Sequence, residues 1–213
     1  RLAAHLPGVG HDEGRARMLA GEVVDAQGQP VRPEQAVKGS VRLFYYRHLP
    51  GEPELPFEHQ VLYQDEHLLV ADKPHFLPVM PAGEYVEQTL LARLIKRTGN
   101  PDLVPIHRID RLTAGLVLFS VDPASRSHYQ ALFRQRAVEK RYEAIARALP
   151  DLTFPLVHKS RLIDGEPFFR MQEGPGVCNS ETAVEVREKN GDLWRYGLYP
   201  VTGKKHQLRV HMT

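Results

Sequence analysis

A carboxylate lies among two guanidinium groups and an imidazole in the segment His107–Gly115. Asp110 is flanked by Arg108 and Arg111, and the segment ends directly before the apolar run 116–119, which predicts a buried strand. Loops held at the end of a rigid strand often contain catalytic groups, and a carboxylate there can act as a nucleophile or a base. These residues alone also permit a second interpretation, a surface turn in which Asp110 pairs with one of the two arginines.

Two further segments combine basic residues with groups suited to a nucleic acid. Residues 140–144 place Tyr142 next to two cations on a predicted strand, and residues 198–211 contain a second basic cluster. An aromatic ring can stack on a nucleobase, and cations bind phosphates. The net charge is only +2, however, so both clusters also fit a solvated surface, and Tyr142 alone also fits an ordinary strand aromatic.

Together with Val61–Pro74, these three segments occur in the order and spacing of the RluA-type RNA pseudouridine synthases, a family that the chain closely resembles. The resemblance covers roughly residues 61–212. It depends most on two motifs, H-R-[IL]-D followed by T-x-G-[LV], and T-G-[RK]-x-H-Q-[LI]-R-x-H. A chance match to both motifs in this order is not expected.

The resemblance implies a role for each residue that matches a family motif. Asp110 corresponds to the catalytic aspartate, and Arg209 corresponds to the arginine that pairs with that carboxylate. Tyr142 occupies the position of the tyrosine that stacks on the target uracil. Arg108 matches the arginine that fills the gap left by the flipped base. The residues expected to bind RNA are Arg108, Arg111, Lys140, Arg141, Lys204, Lys205 and His206.

The reaction implied by the resemblance is the isomerisation of uridine to pseudouridine in ribosomal or transfer RNA. It breaks the bond from ribose to a uracil nitrogen, turns the base and rejoins it through carbon, which requires no redox step and no metal. No cofactor is therefore expected. A uracil inside a stem is unreachable, so the base must be extruded, at a cost that stacking on Tyr142 and filling of the void by Arg108 would offset.

Two other classes of function compete with this one. A non-catalytic RNA-binding or ribosome-assembly protein on the same fold is the main alternative, although Asp110, Tyr142 and Arg209 are all present. A metal-dependent nuclease would need several acidic residues near Asp110, and that neighbourhood is basic instead. Of the 11 histidines, His206 and His211 are five positions apart and would not share a helix face, so no metal site is expected.

Composition limits the cellular locations that are expected for the protein. The single cysteine, Cys178, excludes an internal disulfide framework and favours a reducing, cytoplasmic location. No apolar run approaches the roughly 20 residues of a membrane-spanning helix, so no membrane association is expected. A monomer is expected.

Periodicity predicts an α+β fold with a mixed, mostly antiparallel sheet, because strands outnumber helices and mostly follow one another. The resemblance adds a central RNA-binding cleft and flanking helices. The helices are predicted over 12–20, opened by Asp12 as N-cap, over 90–96, and after Asp122-Pro123. Strands are predicted over 68–71, 115–120 and 138–147, and a hairpin turns at Asn190-Gly191 between 183–189 and 193–199.

The chain is predicted to contain a small N-terminal module at 1–48, a proline-rich linker at 49–60 and a catalytic domain at 61–213. The N-terminal module, with a strand-turn-strand at 22–31 and a further strand at 37–44, faintly resembles a small RNA-binding module of some relatives. The alternative is an appendage that only packs on the main body. The family continues beyond the position of Thr213, so the chain is expected to be truncated at its C-terminus.

Overall fold

The computed structural model describes residues 11–36, 41–45, 51–167 and 169–213, and these fall into two units, Arg1–Glu52 and Pro53–Thr213. The predicted strand at 37–44 lies partly outside the described residues, as does the start of the predicted linker. Within the described residues, the helices are too short or too polar to cross a membrane.

The first unit contains one helix and a two-stranded antiparallel sheet. Helix α1 is His11–Leu19, and strands β1 and β2 are Val23–Val24 and Phe44–Tyr45. The helix begins one residue earlier than predicted, so Asp12 lies in its first turn and is not the N-cap. The predicted turn is present and is closed by the Asp25 carboxylate, but the strand expected after it is reduced to one bridge with Val24.

The second unit begins inside the predicted linker. Leu55 packs against the hydrophobic core of this unit, and its carbonyl accepts a hydrogen bond from Arg93 at 2.6 Å. The carbonyl of Phe57 accepts a second one from the same guanidinium, also at 2.6 Å. Leu55 and Phe57, which lie in the predicted linker 49–60, therefore contact this unit.

A four-stranded antiparallel sheet positions the segment that contains Asp110. Its strands, in the order β3-β4-β6-β5, are Gln60–Gln64, Leu68–Lys73, Gly115–Ser120 and Val104–Pro105. Alternate residues of β4 and β6 are buried, and the apolar face of helix α2, Leu90–Thr98, belongs to the same core. Helix α2 ends at Gly99, whose φ of 69° is the left-handed conformation that favours glycine.

Helix α3 follows β6 as the sequence predicted. It is Pro123–Arg134, with Asp122 as the N-cap that accepts a hydrogen bond from the Ser125 backbone N–H and with proline in its first turn.

A five-stranded antiparallel sheet forms the other half of the second unit. Its order is β7-β11-β10-β8-β9, and its strands are Tyr142–Arg147, Leu193–Pro200, Ser180–Asn190, Leu156–Asp164 and Met171–Gly174. The short helix α4, Gln207–His211, follows this sheet. The hairpin predicted at Asn190-Gly191 is confirmed, and the α+β class is confirmed, with the strands divided between two sheets of the second unit.

Strand β7 is shorter than predicted, since it begins at Tyr142 and not at Val138. Its neighbour β11 pairs Leu198 with Tyr142, so a longer β7 would place Lys140 opposite Pro200. A proline has no N–H to donate to a ladder, and the pairing therefore stops before it.

Candidate active site

A cavity of about 690 Å³ lies in the second unit and is lined by four segments of the chain and by Asn179. These segments are the loop before β6 (107–113), the end of α3 with the residues that follow it (133–136), the approach to β7 (140 and 142) and residues 200–209. Seven of the ten residues singled out in the sequence line it: Arg108, Asp110, Lys140, Tyr142, Lys204, His206 and Arg209.

The loop that contains Asp110 is held from behind by side chains of other segments. The Lys73 ammonium is completely buried and donates to the carbonyls of Pro74 and Leu77 at 2.8 Å and of Arg111 at 3.3 Å. The His75 ring nitrogen Nδ1 lies 2.6 Å from the carbonyl oxygen of Leu112. Because backbone carbonyls on both sides of the buried ammonium are engaged, the loop has a defined position relative to β4.

His107 fixes the beginning of the same loop. Its Nε2 accepts a hydrogen bond from the Leu118 backbone N–H at 3.2 Å, and its ring stacks on Phe133 with the ring centroids 4.8 Å apart. Burial, together with the nearby charge of Lys140, lowers the pKa of His107 to about 4. The ring is therefore neutral at physiological pH, as its acceptor role requires.

The Asp110 carboxylate faces two basic groups from the segment after β11. One of its oxygens lies 3.5 Å from Nη1 of Arg209, and the other lies 3.9 Å from Nε2 of His206. The Asp110 side chain is 27% exposed, so it is accessible from the cavity but largely shielded. Burial lowers the pKa of His206, and the charge of Asp110 opposes that shift.

Tyr142 is the first residue of β7 and lines the same cavity. Its ring also packs against the hydrophobic core of the five-stranded sheet. Burial raises the pKa of Tyr142, and the charge of Asp110 adds to this shift, so the phenol stays protonated at physiological pH. The ring therefore presents a neutral aromatic surface beside the carboxylate.

Gln207 determines how the segment 200–209 is folded. Its buried side-chain oxygen accepts hydrogen bonds from Oγ1 of Thr202 at 2.7 Å and from the Lys204 N–H at 3.1 Å. Its amide nitrogen donates to the Glu181 carbonyl at 3.0 Å and to Oγ1 of Thr182 at 2.9 Å. All four contacts of one side chain thus fix the turn that leads to His206 and Arg209, a role that the sequence analysis did not assign although Gln207 belongs to the motif.

The cavity lining is strongly basic. Six cations line it, and Asp110 is the only acidic residue among the described residues that do so: the cations are Arg108, Arg134, Arg136, Lys140, Lys204 and Arg209. Within the described part of the chain, Arg209 alone among these six has a carboxylate within 4 Å. Lys140 instead donates to the Thr202 carbonyl at 3.0 Å. Such a surface has an unbalanced positive charge that favours a polyanion.

Three residues predicted to bind RNA do not line the cavity. Arg111 lies over the ring of Tyr85 with its guanidinium carbon 5.4 Å from the ring centroid. Arg141 pairs with Glu139 at 3.5 Å, and Lys205 is exposed and is not among the lining residues. In their place the structure contributes two arginines, at 134 and 136, that the sequence indicated only as part of a basic stretch.

One group of side chains has a spacing that would suit a metal ion, and it lies among residues that the cavity does not include. His158, Glu173 and His211 bring one ligand atom each to within 4.8 Å of one another. The imidazole of His158 already contacts the carboxylate at 2.7 Å, and both ring nitrogens of His211 contact hydroxyl groups at 2.9–3.1 Å. These donors and acceptors are satisfied by one another. His206 lies apart from them beside Asp110, as the five-residue spacing predicted.

The sequence and fold match proteins of one family. A family model described as RNA pseudouridylate synthase matches residues 67–213. The chain belongs to this family. The matched region contains every segment that lines the cavity.

Individual pseudouridine synthases show the same similarity. An uncharacterised RNA pseudouridine synthase of Helicobacter pylori is 31% identical over 87% of this chain and 62% of its own. The ribosomal large subunit pseudouridine synthase C of Vibrio cholerae is 32% identical over 72% of this chain and 49% of its own. The solved structure of human RNA pseudouridylate synthase domain containing 1 superposes with a TM-score of 0.60 at 25% identity, over 75% of this chain and 66% of that one. The chain spans less than two thirds of the length of each of these relatives.

Proposed function

We propose that the protein is an RNA pseudouridine synthase that isomerises specific uridines in ribosomal or transfer RNA, with Asp110 as its catalytic group. The observation that supports this most is the meeting of three separate motifs in one cavity. The Asp110 carboxylate lies 3.5 Å from the Arg209 guanidinium, and Tyr142 lines the same space. This combination provides a charged carboxylate, a fixed cation and an aromatic surface next to one another.

RNA binding follows from the charge of the cavity. Cations that lack acidic partners attract phosphates, and they release condensed counterions when phosphates bind. Arg108, Arg134 and Lys204 are exposed and line the cavity without an ion pair in the described part of the chain. Phosphate contacts of this kind orient the strand, while splayed bases provide the selectivity.

The target base must then leave its stack to reach Asp110. Extrusion costs a few kcal/mol, and stacking on an aromatic ring returns about 1–3 kcal/mol per base. The Tyr142 ring borders the cavity beside the carboxylate, which supports Tyr142 as the surface that receives the uracil. Arg108 projects from the same loop as Asp110, and its flat guanidinium fits the space that an extruded base leaves.

The chemistry requires one carboxylate and no atoms from outside the substrate. The bond from ribose to N1 breaks, the uracil turns, and a bond from ribose to C5 forms, while the proton lost from C5 is balanced by one gained at N1. The ionised Asp110 can assist by attack on the sugar or base, or by accepting a proton from the sugar. Arg209 orients the carboxylate through its 3.5 Å contact, and a guanidinium retains its charge at any physiological pH.

Ribosomal RNA is the first substrate to test. The Vibrio cholerae relative is named for the large ribosomal subunit, which favours this class over transfer RNA. That the protein is a monomer stays a prediction. The cytoplasmic location predicted from the single cysteine stays a prediction.

Pseudouridine mapping tests the proposal directly. Total RNA from cells with and without the gene would be compared by mass spectrometry and by carbodiimide-based mapping, and the purified protein would be incubated with transcripts of ribosomal and transfer RNA. We expect at least one uridine to lose its modification in the cells without the gene and to be modified in the matching transcript. RNA that is bound tightly but never modified would favour the non-catalytic RNA-binding alternative.

A further inference from the structure

Helix α3 ends with an arginine in a backbone conformation that usually requires glycine. The Arg136 N–H donates to the Phe133 carbonyl at 3.2 Å, and the Ala137 N–H donates to the Leu132 carbonyl at 2.9 Å. This pattern closes a helix through a residue in the left-handed region, and Arg136 has a φ of 58°. Helix α2 ends with Gly99 in the same conformation. A side chain in that region is disfavoured, so Arg136 weakens the fold relative to glycine.

Within the described residues, the Arg136 side chain forms no hydrogen bond or ion pair that would explain this choice. It is exposed, it lines the cavity, and it forms no ion pair within the described residues. Its charge instead acts on a neighbour, because burial and the nearby guanidinium together lower the pKa of Lys140. Arg136 has an unfavourable backbone conformation and lies near a second cation, Lys140. A bound anionic ligand would offset the repulsion between these two charges.

Strained positions are concentrated at the cavity. Three non-glycine residues in the described part of the chain have a positive φ, namely Phe76, Arg136 and His206. Two of them, Arg136 and His206, line the cavity. Left-handed residues without a compensating contact often mark functional sites. His206 has such a contact in Asp110, whereas Arg136 has none.

We propose that Arg136 binds a phosphate of the RNA backbone where the end of α3 borders the cavity. This inference rests on the proposed function, because RNA is the polyanion that the site would accept. Arg136 is then a residue kept for binding at the expense of stability. Replacement of Arg136 by glycine should therefore increase the stability of the fold and weaken the binding of RNA.

The test compares Arg136→Gly with Arg136→Ala. Glycine relieves the left-handed backbone and removes the guanidinium, whereas alanine removes the guanidinium and keeps the strain. Arg97→Ala serves as the control, since Arg97 is an exposed arginine in the last turn of α2 and does not line the cavity. Melting temperature would be measured for each, together with binding of a labelled stem-loop RNA over a series of KCl concentrations.

We expect the glycine variant to melt at or above the wild-type temperature and above the alanine variant. Both variants should bind the stem-loop about threefold to tenfold more weakly, and the slope of log Kd against log KCl should fall by about one. Arg97→Ala should keep the wild-type affinity and slope.

Three results would overturn the inference. Wild-type affinity and salt slope in both Arg136 variants would show that this side chain does not contact RNA. A glycine variant that melts below wild type would show that the side chain supports the fold. A wild-type protein that binds no RNA would remove the proposed function and this inference with it. If the wild type binds RNA, weaker binding by both Arg136 variants with no loss of stability in Arg136→Gly would support the phosphate contact. That result would not by itself test pseudouridine formation.

Discussion

The two walls of the cavity are built in different ways. The carboxylate wall, residues 107–113, is anchored through its backbone: Lys73 reaches the carbonyl of Arg111, and the His75 ring reaches that of Leu112. The cationic wall, residues 134–142 and 200–209, presents basic side chains that mostly lack acidic partners in the described structure. The two walls meet where Arg209 pairs with Asp110.

This difference separates the parts of the site that must be fixed from those that must adapt. A reacting carboxylate gains from a defined position, because misplacement by about 1 Å can cost on the order of a hundredfold in rate. Exposed cationic side chains can instead change rotamers until each contacts a phosphate of the RNA that we propose as the ligand. The Asp110 side chain is 27% exposed while that of Arg209 is 54% exposed, which is the contrast expected of the two walls.

The largest expected effect is on Asp110 itself. Asp110→Asn keeps the size of the side chain and removes the charge and the nucleophile, so single-turnover pseudouridine formation should fall by on the order of a thousandfold or more. Binding of a stem-loop RNA and the melting temperature should change little, because the cationic wall is intact. Asp164→Asn, at the end of β8 and outside the cavity lining, is the control. Activity of Asp110→Asn within tenfold of wild type would exclude Asp110 as the catalytic group.

The next largest effect is expected from Lys73, whose ammonium anchors the carboxylate wall. Lys73→Met removes the ammonium from three carbonyls and leaves them buried without a donor, which we expect to cost about 2–4 kcal/mol of unfolding free energy. The turnover number should fall more than the KM for RNA changes, because the loop position is disturbed while the cationic wall is not. Lys96→Met, on the exposed surface of α2, should leave both unchanged. A rise in KM as large as the expected fall in turnover number, with the turnover number unchanged, would indicate that Lys73 contributes to RNA binding.

Much of this site followed from the sequence because its motifs are local. The strand 115–120 has a continuous apolar run, and Asp122-Pro123 provides the cap and first turn of α3, so the two elements that follow Asp110 were predicted. The two-residue strand β5 before it was not, because it is too short to show a periodic pattern. The contact between Asp110 and Arg209 was expected only from the family resemblance. It joins residues about a hundred positions apart, and no local pattern specifies such a distance.

The basic clusters divide between the cavity lining and the surface outside it. Side chains of an extended chain alternate between two sides, so residues two apart share a side. Lys140 and Tyr142 follow that rule where the chain enters β7, and both line the cavity. Arg141 lies between them and does not line it. The buried role of Lys73 was missed because its three acceptors are backbone carbonyls, which have no signal in the side-chain sequence.

A smaller effect should come from His107, which holds the carboxylate wall only while it is neutral. Its pKa of about 4 in the fold lies below the ordinary value of 6.5, so the unfolded chain binds the proton more readily. The stabilisation is present above pH 6.5 and is lost as the pH falls towards 4, by about 2 kcal/mol between pH 7 and pH 5. His107→Gln cannot titrate but can still accept from the Leu118 N–H. Urea unfolding at both pH values should show a smaller difference for this variant, and an unchanged difference would contradict the assignment.

The smallest expected effect concerns Arg108. This residue lies in the carboxylate wall but has the charge of the cationic wall. An arginine two residues before Asp110 could act as its ion-pair partner, but the structure places Arg209 in that role and leaves Arg108 without a carboxylate within 4 Å in the described residues. Arg108 is therefore free to occupy the space left by an extruded base. Because extrusion costs a few kcal/mol only where the base is stacked, the benefit of Arg108 should depend on the substrate.

Arg108→Ala should accordingly lower the single-turnover rate about tenfold on a structured stem-loop and less than about twofold on a short flexible strand whose target uridine is already unstacked. The two RNAs would share the uridine and its flanking sequence, so that phosphate contacts with the cationic wall are matched. Equal losses on both would mean that Arg108 serves the chemistry or the fold and would remove it from base flipping. A loss confined to the stem-loop would instead assign Arg108 to base flipping, because the phosphate contacts of the two RNAs are matched.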